Sequence, residues 1–388
     1  MQFVSFSGDY WDGPRHNRHY FCEELAAQGH KVLFCSPPFY IVTLIRQLGK
    51  RTLTRSGLRR LGPNLVTYVP SKFLFTNFRL PWLNRWMAAR REAAIRRILA
   101  REGIERPVLL VWHPNFRHMI GKFDESLVVY YVYDQYSGYT GGNPNEPDPA
   151  EIELLQRADL VFVLSKELLA QKTRWAKNIH HLPNSVDFDL FSRARAEATR
   201  VPDDLAAIPG PRVGYIGTMN EKLDVPLLEH IAAARPEWSI VLVGRQNYTP
   251  GPARDRFFAL VGRPNVHWLG AKPHDLVPAY IKGLDVCLMC YVINGWTFYG
   301  DPSKMHEYLA SGKPTIAAGL TAIREFGDVI AIPDDADGWV RAIEAGLAET
   351  GDTMRQRRID TARANSYPYR IQAAVALIQD ALDSRVRT

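Results

Sequence analysis

The sequence predicts an α/β fold of two doubly wound, Rossmann-like domains that face a cleft. Short apolar runs, such as 2–6 and 212–216, alternate with stretches of helical periodicity, which is the pattern of repeated βαβ units. The alternation begins a second time near residue 212, after a charged, alanine-rich stretch. A chain of 388 residues is long enough for two domains with separate cores. Such sheets bind their ligands beyond the carboxyl ends of the strands.

The domain boundaries follow from where the alternation stops and restarts. We predict a first domain over residues 1–191, a linker over 192–211 and a second domain over 212–368. The linker is assigned because its stretch is charged, rich in alanine and bounded by prolines. Residues 369–388 are predicted to form a helix that packs back on the first domain.

The first half opens with a βαβ unit. A strand at 2–6 is followed by a helix at 15–28, which Gly29 ends. Gly8 and Gly13 in the first turn do not form a dinucleotide fingerprint, so this turn gives no evidence for NAD. The remaining elements of this half are strands at 31–35, 65–69, 108–112, 127–133, 160–164 and 179–182, and helices at about 83–102, 152–156 and 166–175.

The second half repeats the same pattern. Its predicted strands are 212–216, 239–243, 266–270, 285–290, 315–318 and 329–332, and its predicted helices are 225–234, 254–261, 275–282, 304–310, 336–348 and 353–364. Cys287 and Cys290 lie in one strand, where their side chains point to opposite faces. A metal or redox pair is therefore not expected, and the four cysteines are interpreted as free thiols of a reducing cytoplasm.

The stretch 301–316 carries the clearest chemical signal. Ser303 is a suitable N-cap for a short helix that Gly312 ends, and Pro314 prevents its continuation. Lys304 and Glu307 then share one helix face at the positive end of the helix, which suits an anion such as phosphate. A carboxylate there can accept hydrogen bonds from a pair of hydroxyls, as on a ribose. The alternative is an ordinary surface ion pair.

Positive charge is concentrated in one region. The net charge is +7, and 15 Lys or Arg lie between residues 40 and 106 against three Glu. Aromatic residues such as Trp82 and Trp86 interleave with them. This mixture suits an anionic membrane surface or an anionic lipid-linked substrate, or else a solvated helix face. Nucleic acid is not expected as a partner, because no recognised nucleic-acid motif accompanies the charge.

No run of 18 apolar residues indicates a membrane-spanning helix, and no secretory signal opens the sequence. We therefore expect a cytoplasmic protein that attaches peripherally to the inner face of the cell membrane.

Polar residues follow several strands of the first half. Asp134 ends the strand at 127–133 and opens a glycine-rich loop, which is where open α/β sheets place active-site groups. His113 follows the preceding strand in a similar position, and Asp9 follows the first strand. Each residue also has a structural interpretation, as a cap or as a packed strand-end side chain.

Several short sequence motifs, taken in their order along the chain, resemble those of the glycosyltransferases of the GT-B type. The resemblance covers most of the chain, and the pieces that carry it are 182–187, Gly217 with Thr218, 238–244, 266–270, 285–291 and 302–314. Within that group, the pieces 9–17, 131–134 and Tyr291 with 303–305 resemble bacterial exopolysaccharide enzymes such as the xanthan-type glucuronosyltransferases.

The resemblance implies roles on the donor side. Lys304 would neutralise the donor pyrophosphate and stabilise the leaving nucleotide, and Glu307 would hold the ribose hydroxyls. The backbone at Gly217 and Thr218 would approach the phosphates. The remaining expected donor contacts are Lys222, Gly244, Tyr291, Ser303 and Met305. No Asp-x-Asp site lies in a suitable loop, so no metal or other cofactor is expected.

The resemblance also implies an acceptor side and a mechanism. Asp134 is the candidate general base for direct attack with inversion, and Asp9 is the second candidate. Trp11, His16 and His113 are further acceptor-side candidates. The commonest retaining pattern has two glutamates eight positions apart, but here residue 299 is Tyr, which argues against retention.

The predicted activity is therefore sugar transfer from a nucleotide diphosphate sugar, with uridine as the expected base, to a glycan or lipid-linked acceptor. A retaining glycosyltransferase remains one alternative. The other is a nucleotide-sugar epimerase of the same architecture, which would convert the donor with no acceptor present.

Overall fold

The computed structural model describes residues 1–40, 56–75, 80–135, 146–295 and 297–386. The chain divides into two compact units. The first comprises Met1–Pro183 together with the residues from Arg370 onward, and the second comprises Asn184–Tyr369. Across the described ranges, no helix is long and apolar enough to cross a membrane.

The first unit contains an eight-stranded sheet in the order β3-β4-β2-β1-β5-β6-β7-β8. The strands are β1 (Gln2–Phe6), β2 (Lys31–Cys35), β3 (Gly57–Arg60), β4 (Leu65–Val69), β5 (Val108–Val111), β6 (Leu127–Val132), β7 (Leu160–Val163) and β8 (Ile179–His181). All neighbours are parallel except β3, an antiparallel edge strand that the sequence did not predict. Its helices are α1 (Asn17–Ala27), α2 (Pro81–Glu102), α3 (Pro149–Arg157), α4 (Lys166–Lys172) and a 3₁₀ helix (Pro114–Met119).

The central strands of this sheet are buried on both faces, as parallel sheets covered by helices require. From β1 the chain builds the sheet outward through β2 and β4, then returns to β5 and continues to β8 on the other side. The strand order therefore reverses between β1 and β5. Ligand crevices form at the carboxyl ends of such a strand pair, where Gly8 and His113 follow these two strands.

The second unit contains a five-stranded parallel sheet in the order β11-β10-β9-β12-β13. Its strands are β9 (Arg212–Ile216), β10 (Ser239–Val243), β11 (Val266–Trp268), β12 (Val286–Met289) and β13 (Thr315–Ala317). Its longer helices are α7 (Val225–Ala234), α8 (Pro252–Val261), α9 (Val277–Lys282), α10 (Lys304–Ser311), α12 (Ala336–Leu347) and α13 (Thr353–Ala364), and its shorter ones are α5 (Phe188–Ser192), α6 (Asp203–Ala206) and α11 (Thr321–Arg324). The order of strands reverses between β9 and β12.

Two expectations for this unit differ from the structure. The stretch 192–211 is not a free linker, because Ala194, Leu205 and Ile208 are buried in the core of the second unit. Because most of their neighbours are charged, the composition of the stretch does not indicate that these three residues pack in a core. The strand expected at 329–332 is reduced to a single bridge between Ala331 and Ile316.

The C-terminal helix α14 (Tyr367–Val386) belongs to the first unit from Arg370 onward. Near its end, Arg385 donates a hydrogen bond to the Ser126 carbonyl (2.7 Å) and forms an ion pair with Asp159 (3.0 Å). These contacts tie the end of the helix to the first unit.

Candidate functional site

Two glycines bring the ends of β9 and β10 together in the second unit. The Gly217 amide donates to the Val243 carbonyl (2.8 Å), and the Gly244 amide donates to the Gly270 carbonyl (2.8 Å). Gly244 has a φ of 145°, and a Cβ there would overlap the Gly217 carbonyl oxygen. Only glycine fits at this position. The strand ends therefore present backbone rather than side chains at the reversal point of the sheet.

Lys304 lies directly over this backbone. A Cβ added to Gly217 would collide with Lys304 Cε, so the lysine stem crosses the glycine Cα. Lys304 is the first residue of α10, where the positive end of the helix adds to its charge. The interaction with Tyr291 raises the pKa of Lys304, burial opposes that rise, and Glu307 adds to it. The ammonium is therefore charged at neutral pH and suited to binding an anion.

Glu307 lies one helical turn further on. Burial raises the pKa of its carboxyl, while Lys304, His274 and a hydrogen bond from Ser303 act to lower it. The Ser303 hydroxyl lies 3.5 Å from a Glu307 carboxylate oxygen. No ion pair within 4.0 Å joins Lys304 to Glu307 among the ion pairs of the described residues. The two groups share a helix face without neutralising each other by direct contact.

Helix α10 is held at the strand end by Tyr308. The fully buried Tyr308 hydroxyl accepts a hydrogen bond from the Ile216 amide (2.8 Å), one residue before Gly217. Gly312 then ends the helix with a left-handed φ of 75°, as the sequence predicted. Tyr308 was not among the predicted site residues, although it lies one turn after Lys304 and its hydroxyl needs a partner when buried.

The other predicted donor-side residues differ in accessibility. Tyr291 follows β12 and packs edge to face with Tyr215 (6.0 Å between ring centroids), whose hydroxyl contacts the Thr218 carbonyl (3.4 Å). The Lys222 carbonyl accepts from the Val292 amide (2.9 Å), which brings its loop beside the end of β12. Met305 is fully buried in the hydrophobic core, and its expected contact with the donor stays a prediction. The side chains of successive residues in a helix point in directions about 100° apart, so Met305, next to Lys304, faces the sheet.

The loop that precedes α10 is fixed to the segment that enters the second unit. Asp301 Oδ2 accepts from the Asn184 amide (2.7 Å), and the Asn184 side chain donates to the Asp301 carbonyl. Both residues lie in pieces that the sequence singled out, but their contact was not predicted. This pair helps to place Lys304 at the strand end.

In the first unit, Arg18 occupies the carboxyl edge of the sheet beside Asp9. Arg18 forms an ion pair with Asp9, and its guanidinium carbon lies 4.4 Å from the centroid of the Tyr133 ring. The Asp9 carboxylate is thereby paired with a buried arginine. Sequence analysis missed Arg18, because its partner lies nine residues earlier in a turn whose geometry the sequence does not specify.

His113 caps the 3₁₀ helix that follows β5. Its Nδ1 accepts from the Asn115 amide (3.1 Å), and burial followed by the charge of Arg18 lowers the pKa of His113. The imidazole is therefore neutral at neutral pH. His113 lines a cavity at this edge, so its capping role and an exposure to ligand coexist.

Asp134 follows β6 and is half-buried. Its Oδ1 accepts from the Gln135 amide (2.9 Å). The glycine-rich loop that the sequence places after it, at 136–145, lies outside the described residues. The structure brings Asp134 to the carboxyl edge of the first sheet, where the sequence predicted it.

A buried polar network fixes the residue next to Asp134. Gln135 Oε1 accepts from Lys172 Nζ (3.1 Å), which also pairs with Glu151 (2.8 Å). Both charged side chains are fully buried, and the Tyr130 hydroxyl donates to the same Glu151 oxygen (3.2 Å). Burial raises the pKa of Glu151 and lowers the pKa of Lys172. Sequence reasoning missed this network, because its members come from three separate elements.

Trp11 and His16 have different environments. Trp11 is buried and packs edge to face on His19 (5.3 Å) and Phe34 (4.9 Å). Its expected contact with an acceptor stays a prediction. The loop pattern around Trp11 does not reveal that its ring turns inward. His16 is exposed before α1, and its amide donates to His19 Nδ1 (3.0 Å).

Within the part of the chain that the structure describes, no group of three or more His, Cys, Asp or Glu is arranged to hold a metal ion. Cys22, Cys35, Cys287 and Cys290 are free and buried.

Comparisons with known proteins agree with this architecture. Residues 210–349 match the family described as glycosyl transferases group 1. The putative teichuronic acid biosynthesis glycosyltransferase TuaH of Bacillus subtilis is 26% identical over 280 residues, which cover 68% of this chain and 69% of the relative.

The fold is shared with solved structures over nearly the whole chain. Sucrose-phosphate synthase from Thermosynechococcus elongatus aligns with a TM-score of 0.71 at 17% identity, covering 99% of this chain and 100% of the other. Anabaena Alr3699/HepE in complex with UDP and glucose aligns with a TM-score of 0.67 at 13% identity, covering 98% and 100%. The expected resemblance is confirmed: residues 210–349 match the group 1 glycosyltransferase family, and the chain shares the fold of the GT-B glycosyltransferases.

Proposed function

We propose that this enzyme moves a sugar from a uridine diphosphate sugar to a glycan or lipid-linked acceptor of a bacterial surface polysaccharide, without a metal ion. The single observation that carries the donor assignment is the position of Lys304 over the Gly217 backbone at the β9/β12 reversal point. A charged ammonium, a helix N-terminus and a side-chain-free backbone together suit a diphosphate.

The donor would be oriented by Glu307 and the strand-end backbone. Lys304 binds the diphosphate, and Glu307 accepts hydrogen bonds from the ribose hydroxyls. Lys222, Thr218, Tyr291 and Ser303 are the further donor contacts of this proposal. Uridine is favoured because the Anabaena neighbour was solved with UDP, although its 13% identity carries the fold alone. The name of the Bacillus relative favours a cell-surface polysaccharide as the product.

The proposed reaction is a direct displacement. The acceptor hydroxyl oxygen forms a bond to the anomeric carbon, and the bond from that carbon to the diphosphate oxygen breaks. The electron pair leaves with the nucleoside diphosphate, whose added charge Lys304 stabilises. Asp134 takes the proton of the acceptor hydroxyl, and the anomeric configuration inverts.

Exposed aromatic residues on α2 support attachment to a membrane surface. Trp82 is 63% exposed and Trp86 is 51% exposed, and Phe73 in the preceding loop is 86% exposed. Arg90 is exposed beside Trp86, with its guanidinium carbon 5.0 Å from the Trp86 ring centroid. Tryptophan and arginine on one helix face are suited to an anionic membrane interface, so we place the enzyme on the inner leaflet.

The proposal is tested by following the donor with and without an acceptor extract. Purified enzyme is incubated with UDP-glucose and UDP-glucuronate, and UDP release and the anomeric configuration of the product are measured. The proposal predicts UDP release that depends on the acceptor and a product of inverted configuration. Conversion of the donor with no acceptor would instead identify an epimerase, and retained configuration would remove Asp134 as the base.

A further inference from the structure

A cavity of about 480 Å³ lies in the first unit, at the reversal point of its sheet. Gly8 after β1, His113 after β5 and Ala88 of α2 line it. Its volume is in the range of pockets that bind small molecules. The donor site described above lies in the second unit, so this cavity is a separate feature.

The polar wall of the cavity is cationic. Arg85, Arg91 and Arg117 line it together with His118, and none of its lining residues is Asp or Glu. Arg117 is neutralised by Glu153 (2.8 Å), whereas Arg85 and Arg91 form no ion pair with any carboxylate in the described ranges. Two arginine charges thus face a cavity that supplies no counter-charge.

Arg91 carries an unsatisfied donor at this wall. Its side chain is buried, with 6% of the residue exposed, and its Nη1 donates to the Leu74 carbonyl (2.9 Å) and the Phe75 carbonyl (3.4 Å). Its Nε has no hydrogen-bond acceptor among the described residues. Buried donors are rarely left unsatisfied, because each costs free energy comparable to a lost hydrogen bond. A ligand oxygen in the cavity would satisfy it.

Part of the remaining lining is apolar. Pro37, Pro38, Phe116 and Met119 line it, and the exposed Trp82 and Trp86 lie on α2, the same helix that contributes Arg85 and Arg91. A cavity lined by an arginine pair and by apolar side chains suits a ligand with both characters. Its size excludes a nucleic-acid duplex as the occupant.

We propose that this cavity binds the phosphate of an amphiphilic, lipid-linked acceptor, with Arg91 Nε and Arg85 as donors to the phosphate oxygens. That the ligand is the acceptor rests on the proposed glycosyl transfer, whereas the binding of a phosphate amphiphile does not. The apolar wall contacts the first part of the hydrocarbon chain. Arg91 is thereby assigned a binding role that no motif in the sequence indicated.

The test is a titration of the full chain with decyl phosphate below its micellar concentration, in the presence of saturating UDP. UDP occupies the donor site, and its own binding, measured first, reports separately on the proposed function. Decanol and inorganic phosphate are titrated in parallel, to separate the contributions of the chain and of the anion. We expect decyl phosphate to bind at least about tenfold more tightly than either.

Three variants locate the binding. Arg85→Gln is expected to weaken decyl phosphate binding about fivefold and Arg91→Lys about tenfold, since lysine keeps the charge but lacks the Nε donor. Arg97→Gln, on the same helix but outside the cavity, removes one charge and is the matched control, with binding unchanged. Because Arg91 is buried, a thermal melt of its variant is recorded, and Arg85→Gln decides if that variant unfolds. Equal affinity for decanol, or equal losses in Arg85→Gln and Arg97→Gln, would overturn the proposal.

Discussion

The two units place their chemistry at the same topological position but build it differently. At the β9/β12 reversal, the second unit exposes glycine backbone, and one lysine crosses it. At the β1/β5 reversal, the first unit places buried arginine side chains, with Arg18 paired to Asp9 and Arg91 beside the cavity. A backbone without side chains, a lysine and a helix terminus suit the diphosphate that nucleotide diphosphate sugars share. Side chains from distant elements suit an acceptor, which differs between enzymes.

The largest expected effect comes from the first unit. Asp134→Asn keeps the size of the side chain but removes its basicity, so kcat should fall by about 10² to 10⁴. UDP affinity should stay within about twofold, since no donor contact is assigned to Asp134. Stopped assays and UDP titration measure the two quantities. Turnover like that of the parent enzyme would show that another group accepts the proton.

Lys304→Met should give the largest effect within the second unit. Loss of the charge that stabilises the leaving diphosphate is expected to lower kcat/KM by about 10² to 10³. Lys313→Met, just after the same helix, is the matched control and should retain activity. Equal losses of activity in both variants would mean that a general effect of charge, and not a specific contact of Lys304, explains the result.

The buried Lys172–Glu151 pair sharpens the comparison, because it supports the residue beside Asp134. Lys172→Met leaves a buried carboxyl without its partner and should lower the free energy of unfolding by about 3 kcal/mol. Lys172 no longer offsets burial in this variant, so the folded pKa of Glu151 rises further above its unfolded value. The stability of the variant is then greatest at a pH below the pKa of Glu151 in the unfolded state. It is lost as the pH rises through the pKa of Glu151 in the folded state.

Thermal melts between about pH 5 and about pH 8 check this prediction. The deficit of Lys172→Met relative to the parent should grow with pH. The double variant Lys172→Met with Glu151→Gln removes the buried charge and should flatten that dependence. A deficit that shrank with rising pH would mean that Glu151 is not the group left uncompensated.

A smaller effect is expected at the glycine cradle. Gly217→Ala puts a methyl group against Lys304 Cε, so the lysine must shift, and we expect about a tenfold loss of kcat/KM. The control is Gly262→Ala, where the nearest atom to an added Cβ is the Ala259 carbonyl oxygen at 3.4 Å. Calorimetry separates a loss of folding from a loss of donor binding. Full activity in Gly217→Ala would mean that the lysine position is not critical.

The smallest expected effect concerns the proposed membrane contact of the exposed tryptophans on α2. Trp86→Ala should reduce flotation with anionic vesicles a few-fold, because one aromatic anchor of several is removed. Phe258→Ala, an exposed aromatic of the second unit, serves as the control. Equal recovery with neutral and anionic vesicles would remove the electrostatic part of the membrane proposal.

The two units also differ in how much of their structure could be predicted from the sequence. The helix carrying Lys304 was predicted with its end at Gly312, because cap residues and a following proline act locally. Parallel strands were found because they are continuous apolar runs. The edge strand β3 was missed, since its exposed, charged residues carry no such signal.

The sequence did not predict the direction of several side chains or the contacts between residues far apart in the chain. Met305 and Trp11 are buried. Their burial was not predicted, because a motif fixes the position of a residue in the chain but not the direction of its side chain. The Arg18–Asp9 pair, the Lys172 network and the Arg91 donor each join separate elements. Only the folded chain brings such groups together, so the first unit was the less predictable of the two.

The central claim is that Lys304 binds the diphosphate of the donor, and a nucleotide titration tests it most directly. Affinities of the parent enzyme and of Lys304→Met are measured for uridine, UMP and UDP. The account predicts that the parent binds UDP at least about tenfold more tightly than UMP and that Lys304→Met loses most of this preference while its affinity for uridine is unchanged. An undiminished preference for UDP in Lys304→Met would contradict it.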